Sequence, residues 1–362
     1  MSESEGTTNY NDAPCGCGCE STCAAEADKA AGVGNSGIKT VSPVLDRKAS
    51  HDHVLARLGQ NRNGHRVAPG LYSLGWPGPS SPVIVTANYT LSFDAVRSGL
   101  GGIDAFILVL DTKGINVWCA AGKGTFGTSE LVNRIHLTGL ASVVHHRRLI
   151  LPQLGAPGVS AHNVHRATGF HVEYGPVRAR DLPRFLVDRV ATPEMRTVQF
   201  TTRDRIVLIP VELRSALIPT IIGAIALWLV GGWLAASALI ASIIAGTVVF
   251  PILLPYLPTV DFSTKGLFLG FIVAIPFAIM AFISGVPIAP LWVSITSMIS
   301  LLLVIPALTA YLALNFTGST PYTSRTGVRK EIFSYIPVMT GAGLIGLTFA
   351  LVVGLTHFMG VW

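Results

Sequence analysis

Charged side chains almost vanish from this sequence after Arg214. Only six acidic or basic residues follow it, namely Asp261, Lys265, Arg325, Arg329, Lys330 and Glu331. The chain of 362 residues is 13% charged as a whole, whereas a soluble domain has about 25% charged residues. Because hydrocarbon does not solvate charge, the C-terminal part of the chain is expected to lie in a membrane.

This charge-poor part contains five apolar runs of the length that a membrane crossing needs, which is about 20 residues. They are Leu217 to Gly232, Leu234 to Leu254, Leu267 to Ser284, Leu291 to Phe316 and Ile336 to Phe358. The first two runs meet at Gly231–Gly232, so the boundary between them is the least certain. Residues 206–362 are therefore predicted to form an all-α transmembrane domain of five helices.

Basic residues in the connections predict the orientation of these spans. Every basic cluster falls on one side: Arg203, Arg205 and Arg214, then Lys265, then Arg325, Arg329 and Lys330. Lys and Arg mark the cytoplasmic side, so we expect a multi-pass protein of the cytoplasmic membrane with its N-terminal domain in the cytoplasm and Trp362 outside. The N-terminus is polar and lacks the apolar segment of a signal peptide. Since the spans carry no internal acidic or basic residue, they favour an anchor over a transporter.

The N-terminal residues 1–48 have the polar, small-residue composition of a disordered tail. Within it, Cys15, Cys17, Cys19 and Cys23 form a C-x-C-x-C-x3-C pattern, which matches neither a zinc site nor the common iron–sulfur sites. Capture of a soft metal ion, a cluster and a tail without a function all remain open.

Residues 49–205 alternate strand and helix patterns. The predicted strands are Pro82 to Thr86, Ala105 to Asp111, Leu149 to Pro152 and Phe170 to Tyr174, and the predicted helices are Leu91 to Ser98, Thr128 to Leu137, Ser160 to Ala167 and Ala179 to Arg189. Apolar strands separated by helices are typical of a Rossmann-like α/β domain with a parallel sheet. In such a sheet, ligands bind beyond the carboxyl ends of the strands.

One loop at that edge combines an N-cap, a cysteine and several glycines. Asn116 is a preferred N-cap residue, which places Cys119 in the first turn of a short helix, where unpaired amides favour a thiolate. Lys123 adds a positive charge one turn later, and the neighbouring glycines let the backbone approach a flat ligand. Cys119 is either a thiolate ligand or nucleophile, or a small buried core residue.

The octapeptide at residues 116–123, NVWCAAGK, is similar to the signature of the mercury-methylation corrinoid proteins (HgcA). Two further stretches, VTANY at Val85 to Tyr89 and LILPQLGAPG at Leu149 to Gly158, resemble the corrinoid domain of the large subunit of the corrinoid iron–sulfur protein. Five C-terminal spans fit the membrane-anchored family and not the soluble carrier. The resemblance covers about Val67 to Trp362, and the cysteine-rich tail departs from it.

This resemblance implies a cobalt corrinoid of the cobalamin type, bound without its own lower base. The catalytic Cys119 thiolate would be the lower axial ligand of the cobalt. The sequence has no D-x-H-x-x-G stretch, so the histidine-ligated class of cobalamin domain has no support. The corrinoid-binding residues implied by the resemblance are Thr86, Asn116, Val117, Trp118, Cys119, Ala120, Gly122 and Lys123.

The implied reaction is transfer of a methyl group from cobalt to Hg(II), which forms methylmercury. The implied partners are an HgcB-type two-cluster ferredoxin as reductant and a methyl-donating methyltransferase that uses methyltetrahydrofolate, with no nucleic acid. Two alternatives stay open: a membrane-anchored corrinoid methyl carrier for another acceptor, of the acetyl-CoA-pathway type, and a non-catalytic metal-binding membrane protein.

Overall fold

The computed structural model describes residues 38–61, 64–285, 288–319 and 325–361. Within these residues, an α/β domain with one mixed sheet precedes a set of long apolar helices. The four cysteines of the predicted N-terminal tail lie outside the described residues.

Six strands form the sheet of the α/β domain. They are β1 (Lys39–Val41), β2 (Gly70–Leu74), β3 (Val83–Ala87), β4 (Ala105–Leu110), β5 (Arg148–Leu151) and β6 (His171–Tyr174). The strand order is β1-β2-β4-β3-β5-β6. Strands β3 to β6 run parallel to one another, whereas β2 pairs with β4 in the antiparallel direction.

The prediction of a purely parallel sheet is therefore wrong at one side of the sheet. The four predicted strands are present within one or two residues of their expected bounds, but β1 and β2 were not predicted. Strand β2 (GLYSL) has partly exposed positions, so it lacks the continuous apolar run of β3 and β4. The predicted tail also extends too far, because Lys39–Val41 already pair with β2 and a helix begins at Arg47.

Helices cover both faces of the sheet. In chain order they are α1 (Arg47–Arg57), α2 (Thr90–Gly99), α3 (Val117–Lys123), α4 (Thr128–Leu137), α5 (Leu140–Val143), α6 (Ala161–Thr168), α7 (Leu182–Asp188), α8 (Pro193–Arg196) and α9 (Thr202–Ile206). One core places Leu108 against Phe126 and Leu131, and the other places Ile107 against Phe93 and Phe185. Burial on two faces explains why β3 and β4 are apolar at consecutive positions.

The apolar C-terminal part consists of α10 (Ile209–Ile244), a π-helical turn (Ala245–Val249), α11 (Phe250–Leu253), α12 (Phe262–Gly285), α13 (Leu291–Leu314) and α14 (Arg325–Phe358). Four helical segments among the described residues are long and apolar enough to cross a membrane. The predicted number of five is not confirmed, because the first two apolar runs lie in one segment, Thr202–Leu253.

Within that segment the backbone bends sharply at Gly232. Its φ of 71° and ψ of −170° are not helical and belong to a region that only glycine occupies readily. A Cβ atom on Gly223 would lie 2.9 Å from Leu239 Cδ2, so the chain before the bend packs against the chain after it.

The segment at and after α8 connects the α/β domain with the apolar helices. Just beyond β5, Gln153 Oε1 accepts a hydrogen bond from Arg196 Nη1 at 3.1 Å, and Phe200 packs in one apolar cluster with Phe250. Leu58 O accepts a hydrogen bond from Arg214 Nη1 at 2.9 Å. The domain is thus joined to the apolar helices through the segment after α8 and through the end of α1.

Candidate functional site

The first turn of helix α3 is fixed by its N-cap. Asn116 has extended backbone angles, and its Oδ1 accepts a hydrogen bond from Cys119 N at 2.9 Å. Gly124 ends the helix in the left-handed conformation, with a φ of 84°. The sequence-based predictions of the cap, of a short helix and of its glycine stop are confirmed.

Helix α3 has a buried face and an exposed face. Val117, Ala120 and Ala121 are 8%, 0% and 6% exposed and belong to the core under the sheet. Cys119 is a free, exposed cysteine, and Trp118 is 38% exposed. The core therefore holds the helix, while the thiol and the indole remain accessible, and burial of Cys119 in the core is excluded.

The predicted site residues fall into three groups. Thr86, Asn116, Val117 and Trp118 line one recess of about 320 Å³ at the carboxyl ends of β3 and β5. Ala120 is buried beneath the helix and does not line this recess. Cys119, Gly122 and Lys123 are exposed on the helix and do not line the recess either.

Apolar groups dominate the interior of this recess. Ile84 and Ile150 come from the sheet, Pro152 and Leu154 from the segment after β5, and Leu182 from α7. Thr86 is 1% exposed and is the penultimate residue of β3, and with Ser92 and Asn116 it contributes a polar side chain to the mainly apolar lining. Asn116 and Trp118, at the start of the helix that carries the thiol, are exposed residues of the lining.

A hydrogen-bond network around Asn88 precedes helix α3, and the sequence analysis did not predict it. Asn88, which is 1% exposed, accepts hydrogen bonds at Oδ1 from Thr112 N at 3.1 Å and Gly114 N at 3.0 Å. Its Nδ2 donates to Asp111 Oδ1 at 3.2 Å. The signal in the sequence is an Asn and an Asp-Thr pair, each directly after a buried strand, which places polar side chains together at one edge.

The charged side chains around this hydrogen-bond network are paired. Burial disfavours ionisation of Asp111, but hydrogen bonds from Lys113 outweigh that effect and lower the pKa of the Asp111 carboxyl. Glu130 accepts a hydrogen bond from Asp111 N at 2.8 Å and pairs with Arg134 at 2.6 Å. Helix α3 itself carries no carboxylate, and Lys123 is its one basic residue.

The comparisons with known proteins agree on the α/β domain. The family described as CO dehydrogenase/acetyl-CoA synthase delta subunit matches residues 59–186. The acetyl-CoA decarbonylase/synthase complex subunit gamma of Methanopyrus kandleri is 36% identical over 127 residues, which are 34% of this chain and 27% of that protein. The corrinoid/iron-sulfur protein large subunit of Moorella thermoacetica is 28% identical over 156 residues, 41% of this chain and 34% of that protein.

A second gamma subunit, from Archaeoglobus fulgidus, is 37% identical over 114 residues, 31% of this chain and 24% of that protein. The match with this chain thus spans about a quarter to a third of the length of these relatives. The family match ends at residue 186, before the apolar helices begin. The α/β domain is therefore corrinoid-protein-like, and the membrane helices lie outside the match.

The exposed face of α3 offers one potential metal-binding side chain, the thiol of Cys119. In the described part of the chain, no group of three or more His, Cys, Asp or Glu side chains could hold a metal ion by itself. A single thiol is nevertheless sufficient when a ring supplies the equatorial ligands. Trp118 and Cys119 are both exposed residues of this helix, and Trp118 also lines the recess.

We predict that Asn116→Ala loosens the first turn of α3 and leaves the domain folded. Removing an N-cap typically costs about 1 kcal/mol, and the Cys119 amide loses its hydrogen-bond acceptor. Hydrogen exchange at Cys119 N should accelerate by roughly fivefold, as that energy implies. The control is Ser160→Ala, which removes the cap of α6 and should leave Cys119 unchanged. Equal exchange at Cys119 in both variants would show that Asn116 does not hold this turn.

Proposed function

We propose that this protein is a membrane-anchored, corrinoid-dependent methyltransferase that transfers a methyl group to Hg(II). In this proposal the thiolate of Cys119 is the lower axial ligand of the corrinoid cobalt. The observation that carries it is an exposed, free Cys119 on a fixed helical turn, beside an apolar recess at the ligand-binding edge of the sheet. The resemblance of residues 116–123 to the mercury-methylation signature supports the choice of acceptor.

The side chains of this chain have separate tasks. Asn116 holds the turn from which the thiol projects, and Val117 and Ala120 anchor the helix in the core. Trp118 would pack its indole against the macrocycle, and the Thr86 hydroxyl would contact a polar group of the ligand. Gly122 and Lys123 would border the ligand at the other end of the helix.

The thiolate matters because it donates electron density strongly to a metal. The corrinoid would supply the methyl group, and electron donation from Cys119 would favour its transfer to an electrophile. Hg(II) is a soft electrophile that accepts such a group. The protein would bind the corrinoid, donate electron density to the cobalt through Cys119 and control which molecules reach the methyl group. The proposal includes a two-cluster ferredoxin of the HgcB type as reductant and a methyltetrahydrofolate-dependent methyltransferase as methyl source.

The second candidate is a methyl carrier that serves an acetyl-CoA-forming enzyme. The names of the relatives favour it, because they refer to acetyl-CoA decarbonylase/synthase and to a corrinoid/iron-sulfur protein. The two candidates differ in what they require of Cys119. A carrier that is methylated and demethylated through reduced cobalt gains from a weak or absent lower ligand, whereas transfer to Hg(II) gains from a strong one.

We predict that Cys119→Ala keeps the fold and the corrinoid but nearly abolishes methyl transfer to Hg(II). The residue is exposed, and surface substitutions usually change the free energy of unfolding by less than about 0.5 kcal/mol. The absorption spectrum of the full chain with Co(III) corrinoid should change to that of a corrinoid without a lower ligand. Cys119→His should bind corrinoid and remain well below wild type, because imidazole donates less strongly.

The matched control is Ser129→Ala, an exposed position in the next helix, which should behave as wild type. An unchanged spectrum and undiminished methylmercury formation in Cys119→Ala would contradict the proposal. The second candidate would be favoured if Cys119→Ala had the wild-type spectrum. In addition, the wild-type protein would have to transfer its methyl group to an acetyl-CoA-forming enzyme and not to Hg(II).

We also propose that the segment Thr202–Leu253 crosses the membrane twice, so that the chain has five spans and its α/β domain is cytoplasmic. A straight helix of these 52 residues would be about 78 Å long, whereas the hydrocarbon core is about 30 Å thick. The bend at Gly232 and the approach of Leu239 to Gly223 support a hairpin.

Labelling of single cysteines from outside intact cells tests this topology, in a chain whose five native cysteines are replaced. Trp233→Cys, at the bend, and a cysteine added after Trp362 should react with an impermeant reagent, and Gly327→Cys should not. Reaction at position 327 with protection at the other two positions would invert the orientation. Protection at position 233 with the other two as expected would remove the hairpin.

A further inference from the structure

The loop between β4 and α3 is held by one side chain from the neighbouring strand. Asn88 directly follows β3, and its backbone continues the ladder, because Asn88 N donates to Leu110 O at 3.0 Å. Its side chain then reaches across to the loop, where Oδ1 accepts from Thr112 N and Gly114 N. Backbone and side chain of Asn88 therefore have separate partners, and a substitution of the side chain leaves the ladder intact.

The turn that Asn88 holds has an unfavourable backbone. Lys113 has a φ of 60° and Gly114 a φ of 73°, and a non-glycine residue in this left-handed region is costly. Without an acceptor for the two amides, other conformations of residues 112–114 would become more favourable. The amide hydrogen bonds to Asn88 Oδ1 thus select the observed turn.

The same turn determines where helix α3 begins. Thr112 Oγ1 lies 2.7 Å from Ile115 O, to which it can donate, and Ile115 N donates to Thr112 O at 3.2 Å. Asn116 follows at once and caps the helix through Cys119 N. Only Ile115, whose N and O both have hydrogen-bond partners in Thr112, therefore separates the turn held by Asn88 from the N-cap Asn116.

We propose that Asn88 is a positioning residue for the Cys119 thiol. This proposal deepens the proposed function and rests on it, because the thiol must meet the cobalt at a defined place. Asn88 does not line the recess beside α3, and the hydrogen bonds of its side chain go to Asp111, Thr112 and Gly114. It acts on the site only through the turn.

The test uses Asn88→Leu, which keeps the size of the side chain and removes its acceptor and donors. Two quantities are measured on the full chain: hydrogen exchange of the amides in residues 112–123 without corrinoid, and the absorption spectrum with Co(III) corrinoid. We expect exchange to rise by about tenfold or more, since two buried amides lose their acceptor. The fraction of corrinoid with the thiolate-ligated spectrum should fall while total corrinoid binding persists.

Two controls separate positioning from general loss of stability. Leu140→Ala removes buried side-chain volume from the same core and should lower the melting temperature without changing the spectrum. The double variant Asn88→Asp, Asp111→Asn exchanges donor and acceptor across the 3.2 Å contact. It keeps an acceptor for the two amides, so its exchange rates and its spectrum should be closer to those of wild type than those of Asn88→Leu are. If Asn88→Leu does not fold, Asn88→Ser, which shortens the side chain, replaces it in the comparison.

The proposal is overturned if Asn88→Leu changes exchange and spectrum no more than Leu140→Ala does. It is also overturned if the double variant differs from wild type in both quantities as much as Asn88→Leu does. Failure of the proposed function is visible separately. In that case Cys119→Ala would have the wild-type spectrum, while Asn88→Leu would still accelerate exchange in residues 112–123.

Discussion

The hydrogen bond between Asn116 Oδ1 and Cys119 N ties the chemistry of this protein to its fold. It fixes the first turn of a helix only seven residues long, and such a helix is not stable by itself. Its stability comes from Val117, Ala120 and Ala121, which pack into the core under β3 and β4. Because these residues occupy the buried face, Cys119 is exposed and Trp118, at 38% exposure, borders the recess. One short helix therefore presents a thiol rigidly without burying it.

The sheet supplies the second constraint. Parallel strands place their carboxyl ends at one edge, and here that edge carries Thr86, the hydrogen-bond network around Asn88 and the start of helix α3. The chain also leaves the domain at this edge, where Arg196 bonds Gln153 and Phe200 packs among the ends of the membrane helices. The recess at this edge is lined by residues of the α/β domain, and Phe200, in the segment after α8, packs with Phe250 of the apolar helices.

Sequence patterns predicted the parts of this structure that depend on local chemistry. The apolar runs identified β3 to β6, and Asn116 with the glycines after Lys123 identified a short capped helix. The exposure of Cys119 was not predictable, because a helix of two turns has too few residues to reveal which face is buried. Strands β1 and β2 were missed because neither has a continuous apolar run, and each is defined by pairing with a strand distant in the sequence. The role of Asn88 was not predictable from the sequence, because it depends on a turn in the neighbouring loop.

X-ray absorption at the cobalt edge tests the central claim most directly. The full chain would be loaded with Co(III) corrinoid, and the cobalt environment of wild type would be compared with that of Cys119→Ala. The account predicts a sulfur scatterer in the first coordination shell of wild-type cobalt and none in Cys119→Ala. A shell of only nitrogen and oxygen in wild type, or a sulfur that persists in Cys119→Ala, would contradict it.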